Sequence, residues 1–531
     1  MTGAGAGNVL GSSLIETAER IRSREVSVQD VTAASLARAE ALQPDINAFI
    51  RIDTEAAMQA AERADGEIAA GRYRGVLHGI PLAHKDMFYR AGEITSCGSD
   101  IRRDFRAEFT SNLIARLDAA GAISIGWLNL SEFAGGPTGH NVHFGDCRNP
   151  WNTAHVSGGS SSGSGAAVAA GIVFGALGSD TGGSVRIPAA CCGVVGVKPT
   201  YGLVSRHGAM PRSWSLDHIG PLTRRVADSA AILQAIAGVN AGDATSWFSD
   251  VPDYVDGLGA VPKGIRIGVP KRGFVEDAAP DVIAAFEAAL EVLCGLGCVR
   301  VDVDLPDPNG LSKLNDVISK SEAATIHRKW LTDTPERYGD HVRSRIEAGL
   351  AIPATRYLEA LSVRTGITQR FVDSVFSKCD VVCAPTLPFS APRRDESNPE
   401  EPTGVLDLVR KMTYRTRLFN FLGLPAFSIP MGFDARHLPL ERVAPDRILD
   451  SHFDHPVIPC SGGRYGGQVW VSRILLSYVN GRFCLLSKAA RTPRRRGACV
   501  FPSSSSMTWC GSSARLARLR QSRRAIRDAA S

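Results

Sequence analysis

Lysine is scarce in this chain. Ten lysines stand against fifty arginines among 531 residues, and no lysine has a serine three positions before it, which excludes the Ser-x-x-Lys arrangement of penicillin-type enzymes. No stretch reaches about 18 uninterrupted apolar residues, so no membrane-spanning helix is expected. The first residues lack the basic region and apolar run of a secretory signal. The 12 cysteines contain no CxxC pair and no Cys/His cluster of zinc spacing. Buried free thiols in a reducing compartment explain them better than a disulfide framework, and a cytoplasmic location is expected. No GxxxxGK[ST] phosphate loop is present, and the GxG pieces lack the context of a dinucleotide fingerprint. The net charge of +6 is misleading. Residues 491–531 hold ten arginines and one acid, about +9, which leaves the body near −3. A nucleic-acid-binding core is thereby disfavoured.

Glycine and serine are not scarce, and they concentrate between residues 158 and 188. Two Gly/Ser loops, 158–165 and 179–184, flank residues 166–177, which are small and apolar enough to form a buried helix. Composition alone would make these loops linkers. Their interleaving with that segment and with the apolar run at 189–197 argues for core instead. Glycines at this density let the backbone approach a ligand closely, and successive free N–H groups suit an oxyanion. Serine chemistry follows.

Three motifs carry a resemblance. Gly158-Gly159-Ser160-Ser161, Asp180-Thr181-Gly182-Gly183-Ser184 and Arg186-Ile187-Pro188 resemble the amidase signature of serine amidohydrolases. Upstream, the Gly79-Ile80-Pro81 stretch ending in Lys85-Asp86 is similar to the family's lysine motif. The resemblance implies an α/β fold, a single large domain with a central twisted mixed β-sheet covered by helices. It implies a triad of Lys85, Ser160 and Ser184, with Ser184 attacking the amide carbonyl. Ser160, on a cis peptide bond, relays the proton to neutral Lys85. The backbone N–H groups of Thr181, Gly182, Gly183 and Ser184 are expected to form the oxyanion hole. Ser161, Asp180 and Arg186 are read as loop support, with Asp180 and Arg186 paired. Three consecutive serines leave the relay to Ser160 or Ser161, and the Gly-Gly-Ser register favours Ser160. A serine hydroxyl needs a base, and burial lets lysine serve. His84, His140, His143, His155 and His207 lie near the motifs but are read as packing or hydrogen-bonding residues. No metal or organic cofactor is expected.

Residues 12–70 read as helices, with a capping-box-like start at Ser27, and residues 76–240 as the catalytic core. Alternating helices and short apolar strands support an α/β class. Residues 380–386 are expected to return to the central sheet. Phe88, Trp127, Phe133 and Trp214 are candidates for the acyl pocket, each as readily core. The family likeness runs through residue 434. Residues 435–531 are atypical, with the Arg- and Ser-rich composition that a shifted frame of a GC-rich gene would give, or a disordered tail. A basic amphipathic helix at 514–528 is the other reading, and no function is assigned to it.

The expected activity is hydrolysis of a linear carboxylic amide to acid and ammonia, a hydrolase acting on carbon–nitrogen bonds other than peptide bonds. The expected partner is a small amide, with a homodimer allowed and no membrane involved. An alternative is the glutaminase subunit of a glutamyl/aspartyl-tRNA amidotransferase. Residues 412–419 lack the acidic residue typical of such subunits, whereas Arg345 stands as a candidate binder of a substrate carboxylate. A further alternative is an inactive or binding-only protein, owing to the altered C-terminus.

Overall fold

Serines start the first two helices. Ser13 and Glu16 exchange hydrogen bonds of 2.8 and 3.0 Å across the N-terminus of helix Leu14–Arg22, a reciprocal cap that satisfies two otherwise orphaned N–H groups. Ser27 accepts from the Asp30 N–H at 2.9 Å and opens helix Val28–Ile46. That helix stops at Asn47, which turns left-handed at φ 47°. The computed structural model describes residues 9–246, 251–256, 258, 264–397 and 402–440. All of them belong to the first of two compact units, Met1–Cys484; the second, Leu485–Ser531, lies outside the described residues, as does the basic helix expected at 514–528.

In chain order the strands of the two main sheets are β1 (Phe49–Ile52), β2 (Pro81–Lys85), β3 (Ile123–Leu128), β4 (Gly175–Asp180), β5 (Val195–Lys198), β6 (His218–Thr223), β7 (Arg266–Pro270), β8 (Val299–Val303), β9 (Val381–Val382) and β10 (Ala426–Ser428). The central sheet has the order β1-β3-β2-β4-β6-β5-β10. Strand β2 runs parallel to both β3 and β4, and the remaining pairs are antiparallel, so the protein is α/β with a mixed sheet. Strands β2 and β4 are buried along their whole length, which explains their near-continuous small and apolar residues. In their register His84 faces Leu177. Lys85 therefore leaves the sheet beside the last residues of β4, at the same end.

Three expectations need correction. Residues 12–70 are not wholly helical, because β1 lies between the second and third helices and pairs with β3. Residues 166–177 are not one helix. Helix Ser162–Ala169 starts earlier, a turn follows, and β4 begins at Gly175. Both elements are buried on every side, and an apolar run without a polar face carries no periodicity to separate helix from strand. Residues 380–386 do not return to the central sheet; β9 pairs in parallel with β7 in a second sheet of order β8-β7-β9. Helix Pro280–Gly295 packs its buried Phe286, Leu290 and Leu293 beside Ile267 and Val269 of β7. The described cysteines are all unbridged, and most are buried, Cys294 being exposed. Among the described residues no helix is long and apolar enough to cross a membrane.

Candidate active site

Alternation along β2 decides which of two neighbouring bases reaches the serines. Successive side chains of a strand point to opposite faces. His84 turns to Trp127, ring centroids 6.4 Å apart, and burial lowers its imidazole to about 3, which keeps it neutral. Lys85 turns the other way, fully buried. Its Nζ lies 2.7 Å from Ser160 Oγ, 2.9 Å from Ser179 Oγ and 3.2 Å from Ser161 Oγ. Burial lowers this amine to about 7, against the pull of Asp217 and Asp180, and Arg212 pushes the same way as burial. Near neutral pH much of the lysine is a free base with three hydroxyls around it.

The loop carrying Ser160 is pinned by close backbone approach. The Gly159–Ser160 peptide is cis. A Cβ on Gly159 would stand 2.6 Å from Gly136 O and 2.8 Å from Gly139 N, so only glycine fits there. Ser160 and Ser161 are fully buried. The Ser161 N–H donates to Ser184 O at 3.2 Å, which ties the first serine loop to the second, and Ser161 Oγ donates to Ser179 O at 3.3 Å.

Asp180 organises the second loop. It accepts from the N–H groups of Gly183 at 2.7 Å and Val185 at 3.2 Å. The Arg186 guanidinium grips it with two bonds of 2.9 Å, and Asn420 Nδ2 donates to its carbonyl at 2.8 Å and its carboxylate at 2.9 Å. Burial opposes ionisation, yet Arg186 holds the Asp180 carboxyl well below the usual carboxylate range. One expected oxyanion donor is displaced by this arrangement. The Gly183 N–H points inward at Asp180, so the candidates narrow to the N–H groups of Thr181, Gly182 and Ser184. Thr181 Oγ1 donates to Asp217 at 2.6 Å, and Thr416 Oγ1 donates to Gly182 O at 2.6 Å. Gly182 and Ser184 are partly open to solvent, unlike the buried lysine and serines behind them. Asp180→Asn leaves the buried Arg186 without its counter-charge, so a loss of roughly 3–5 kcal/mol in unfolding free energy is expected in urea titrations. A loss below about 1 kcal/mol would contradict the bracing role.

With that geometry in place the chain can be set against known proteins. The sequence pattern of the family described as Amidase matches residues 30–441. The chain belongs to the amidase family. A glutamyl-tRNA(Gln) amidotransferase subunit of Gloeobacter violaceus is 40% identical over 453 residues, 81% of this chain and 91% of that protein. The structure of a vestigial protein complex that reveals the evolutionary origins of an s-triazine catabolic enzyme aligns with TM-score 0.75 at 34% identity, covering 81% of this chain and 93% of its own. A peptide amidase of Stenotrophomonas maltophilia aligns with TM-score 0.69 at 31% identity, covering 81% and 92%.

As a member of the amidase family the chain is an enzyme of carbon–nitrogen bond hydrolysis, and its site holds residues the motifs did not announce. Ser179, the third neighbour of Lys85, precedes Asp180 on β4, and strand alternation turns it to the lysine's side. Asp217 lies beneath Thr181 and accepts from the N–H groups of Arg212 and Ser213, each at 2.9 Å; burial raises its pKa. Three of the aromatic pocket candidates of this amidase-family chain belong to the core: Phe88, Trp127 and Phe133 are buried. Trp214 is 47% exposed and borders a cavity of about 210 Å³ that Ser179 and Asp217 also line.

Proposed function

We propose that this chain hydrolyses a carboxylic amide to the acid and ammonia through an acyl-enzyme on Ser184. The observation that supports it most is the buried Lys85 amine at 2.7 Å from Ser160 Oγ. In this reading Ser184 Oγ bonds to the amide carbon while its proton passes through Ser160 to neutral Lys85. The oxyanion meets the N–H groups of Thr181, Gly182 and Ser184. The C–N bond then breaks as the proton returns to the departing nitrogen. Water attacks the ester along the same relay, freeing the acid and restoring Ser184.

The name of the Gloeobacter relative favours a second, narrower reading, in which the amide is glutamine and the chain acts as the glutaminase component of a tRNA-dependent amidotransferase beside partner proteins. Residues 412–419, which carry no carboxylate, favour the broader one. Ammonia release from aliphatic amides, aryl amides and glutamine, with fluorophosphonate labelling of Ser184, separates them. Turnover of several amides with labelling supports a stand-alone amidase, and turnover of glutamine alone supports the amidotransferase component. Neither turnover nor labelling in folded protein overturns both.

A further inference from the structure

The second sheet leaves one edge without a partner strand among the described residues. Strand β8 pairs with β7 alone, and in parallel. The Val299 N–H donates to Ile265 O at 2.7 Å and the Lys271 N–H donates to Val303 O at 3.1 Å, so Val299, Val301 and Val303 turn their backbone groups to β7. Alternate residues of a parallel strand turn theirs the other way. The N–H and C=O groups of Arg300 and Asp302 therefore point off the sheet, with no protein partner among the described residues. Val299, Arg300 and Asp302 are exposed. Helix Pro280–Gly295 covers a face of this sheet rather than its edge. Arg300 and Asp302 share that face with Ile267 and Val269, and Glu287 of the helix accepts from Arg300 Nη1 at 2.6 Å and Nη2 at 3.3 Å. Among the described residues Arg300 Nε has no partner and the Asp302 carboxylate forms no ion pair.

Charge commonly blunts such an edge against other strands. Here the charges are opposite in sign and symmetrically spaced, Val299-Arg300-Val301-Asp302-Val303, so the strand turned end for end complements itself. We propose that β8 docks a second copy of this chain, strand against strand and antiparallel, with Val301 on the twofold axis. In that register Arg300 faces Asp302 of the second copy, Asp302 faces its Arg300, and each pair exchanges both backbone N–H···O bonds. Centring the seam on Arg300 or on Asp302 would instead set like charges face to face, so charge selects one of the registers that the outward backbone groups allow. Val299, 49% exposed, then packs against Val303 of the second copy. Exposed Ile283, one turn before Glu287 on the same side of its helix, comes to the flank of the seam. The contact uses the same strand in both copies and closes at a dimer.

The test is sedimentation velocity on the full chain. At about 50 µM the wild type is expected to exchange between monomer and dimer, since so short a seam makes a weak interface. Arg300→Asp alone and Asp302→Arg alone each oppose like charges across the seam, and each is expected to weaken self-association about tenfold or more. Mixed in equal amounts, the two variants complement each other, and the mixture is expected to dimerise as strongly as the wild type. The Arg300–Glu287 pair lost in the first variant is half exposed and contributes little to stability. A wild type that stays monomeric, a dimer unmoved by either variant, or a mixture no stronger than its parts would overturn the inference. Should a charge variant misfold by circular dichroism, Val301→Cys decides. In a Cys294→Ser background, which removes the exposed thiol, it is expected to give a disulfide-linked dimer on mild oxidation, because facing residues of a pair without hydrogen bonds stand about 4.5 Å apart at Cα. No cross-link in folded protein sinks the proposal.

Discussion

Ser184→Ala is expected to lower amide turnover by about 10⁴-fold or more and to abolish fluorophosphonate labelling, with the fold intact. The side chain removed is the only group in the proposed scheme that bonds to the acyl carbon. The 2.7 Å contact of Lys85 with Ser160 does not involve the Ser184 side chain, so the expected loss is chemical rather than structural. The Thr181, Gly182 and Ser184 N–H groups persist in the variant and account for any remaining activity over water. Labelling that survives in Ser184→Ala would assign the nucleophile to another serine of the 158–165 loop. Circular dichroism and an unchanged urea midpoint guard against misfolding as the cause.

The second large effect belongs to Lys85. Lys85→Met keeps the volume and the burial but removes the base, and a loss of roughly 10²–10⁴ in kcat is expected. The pH profile is the sharper readout. With the amine lowered to about 7, the protonated form dominates below that pH and cannot take the relay proton, so kcat/KM should rise with pH through about 7 and level off above it. The variant should lose this acid limb. A wild-type limb near the ordinary lysine range, about 10.4, would contradict the burial argument. Stability carries the same sign. Between about 7 and the unfolded value the unfolded chain holds a proton that the native lysine has released, so the native state gains stability as pH rises over that window.

The parts of this site that could be read from the chain are those whose chemistry is written in neighbouring residues. Ser160, Ser184, Asp180 and Arg186 fall within one stretch of 27 residues, and Asp180 meets Arg186 six positions on. Lys85 was legible because the Gly79-Ile80-Pro81 stretch ending in Lys85-Asp86 resembles the family's lysine motif. What was not legible depends on contacts between distant segments. Arg417 looks like an ordinary surface cation in sequence, and only the packing of distant segments brings it within 3.3 Å of Asp316 and lays its stem on the Gly182 loop. The place of β9 was missed for the same reason, since its two residues reveal nothing of their partner until β7 lies beside them. The inward turn of the Gly183 N–H follows from the position of Asp180 three residues earlier, a geometry that the spacing of a motif does not encode.

Asn420 reaches back 240 residues to hold Asp180, and Ser428 Oγ donates to Arg186 O at 2.9 Å across a similar interval. The loop that carries the proposed nucleophile is thus finished by a segment synthesised long after it. On the ribosome, the 181–184 stretch would emerge without its last supports, and the proposed triad would lack its finished loop until Asn420 and β10 dock. Contacts of such sequence separation form slowly. Activity should therefore be among the last properties to return on refolding, after most of the helical signal.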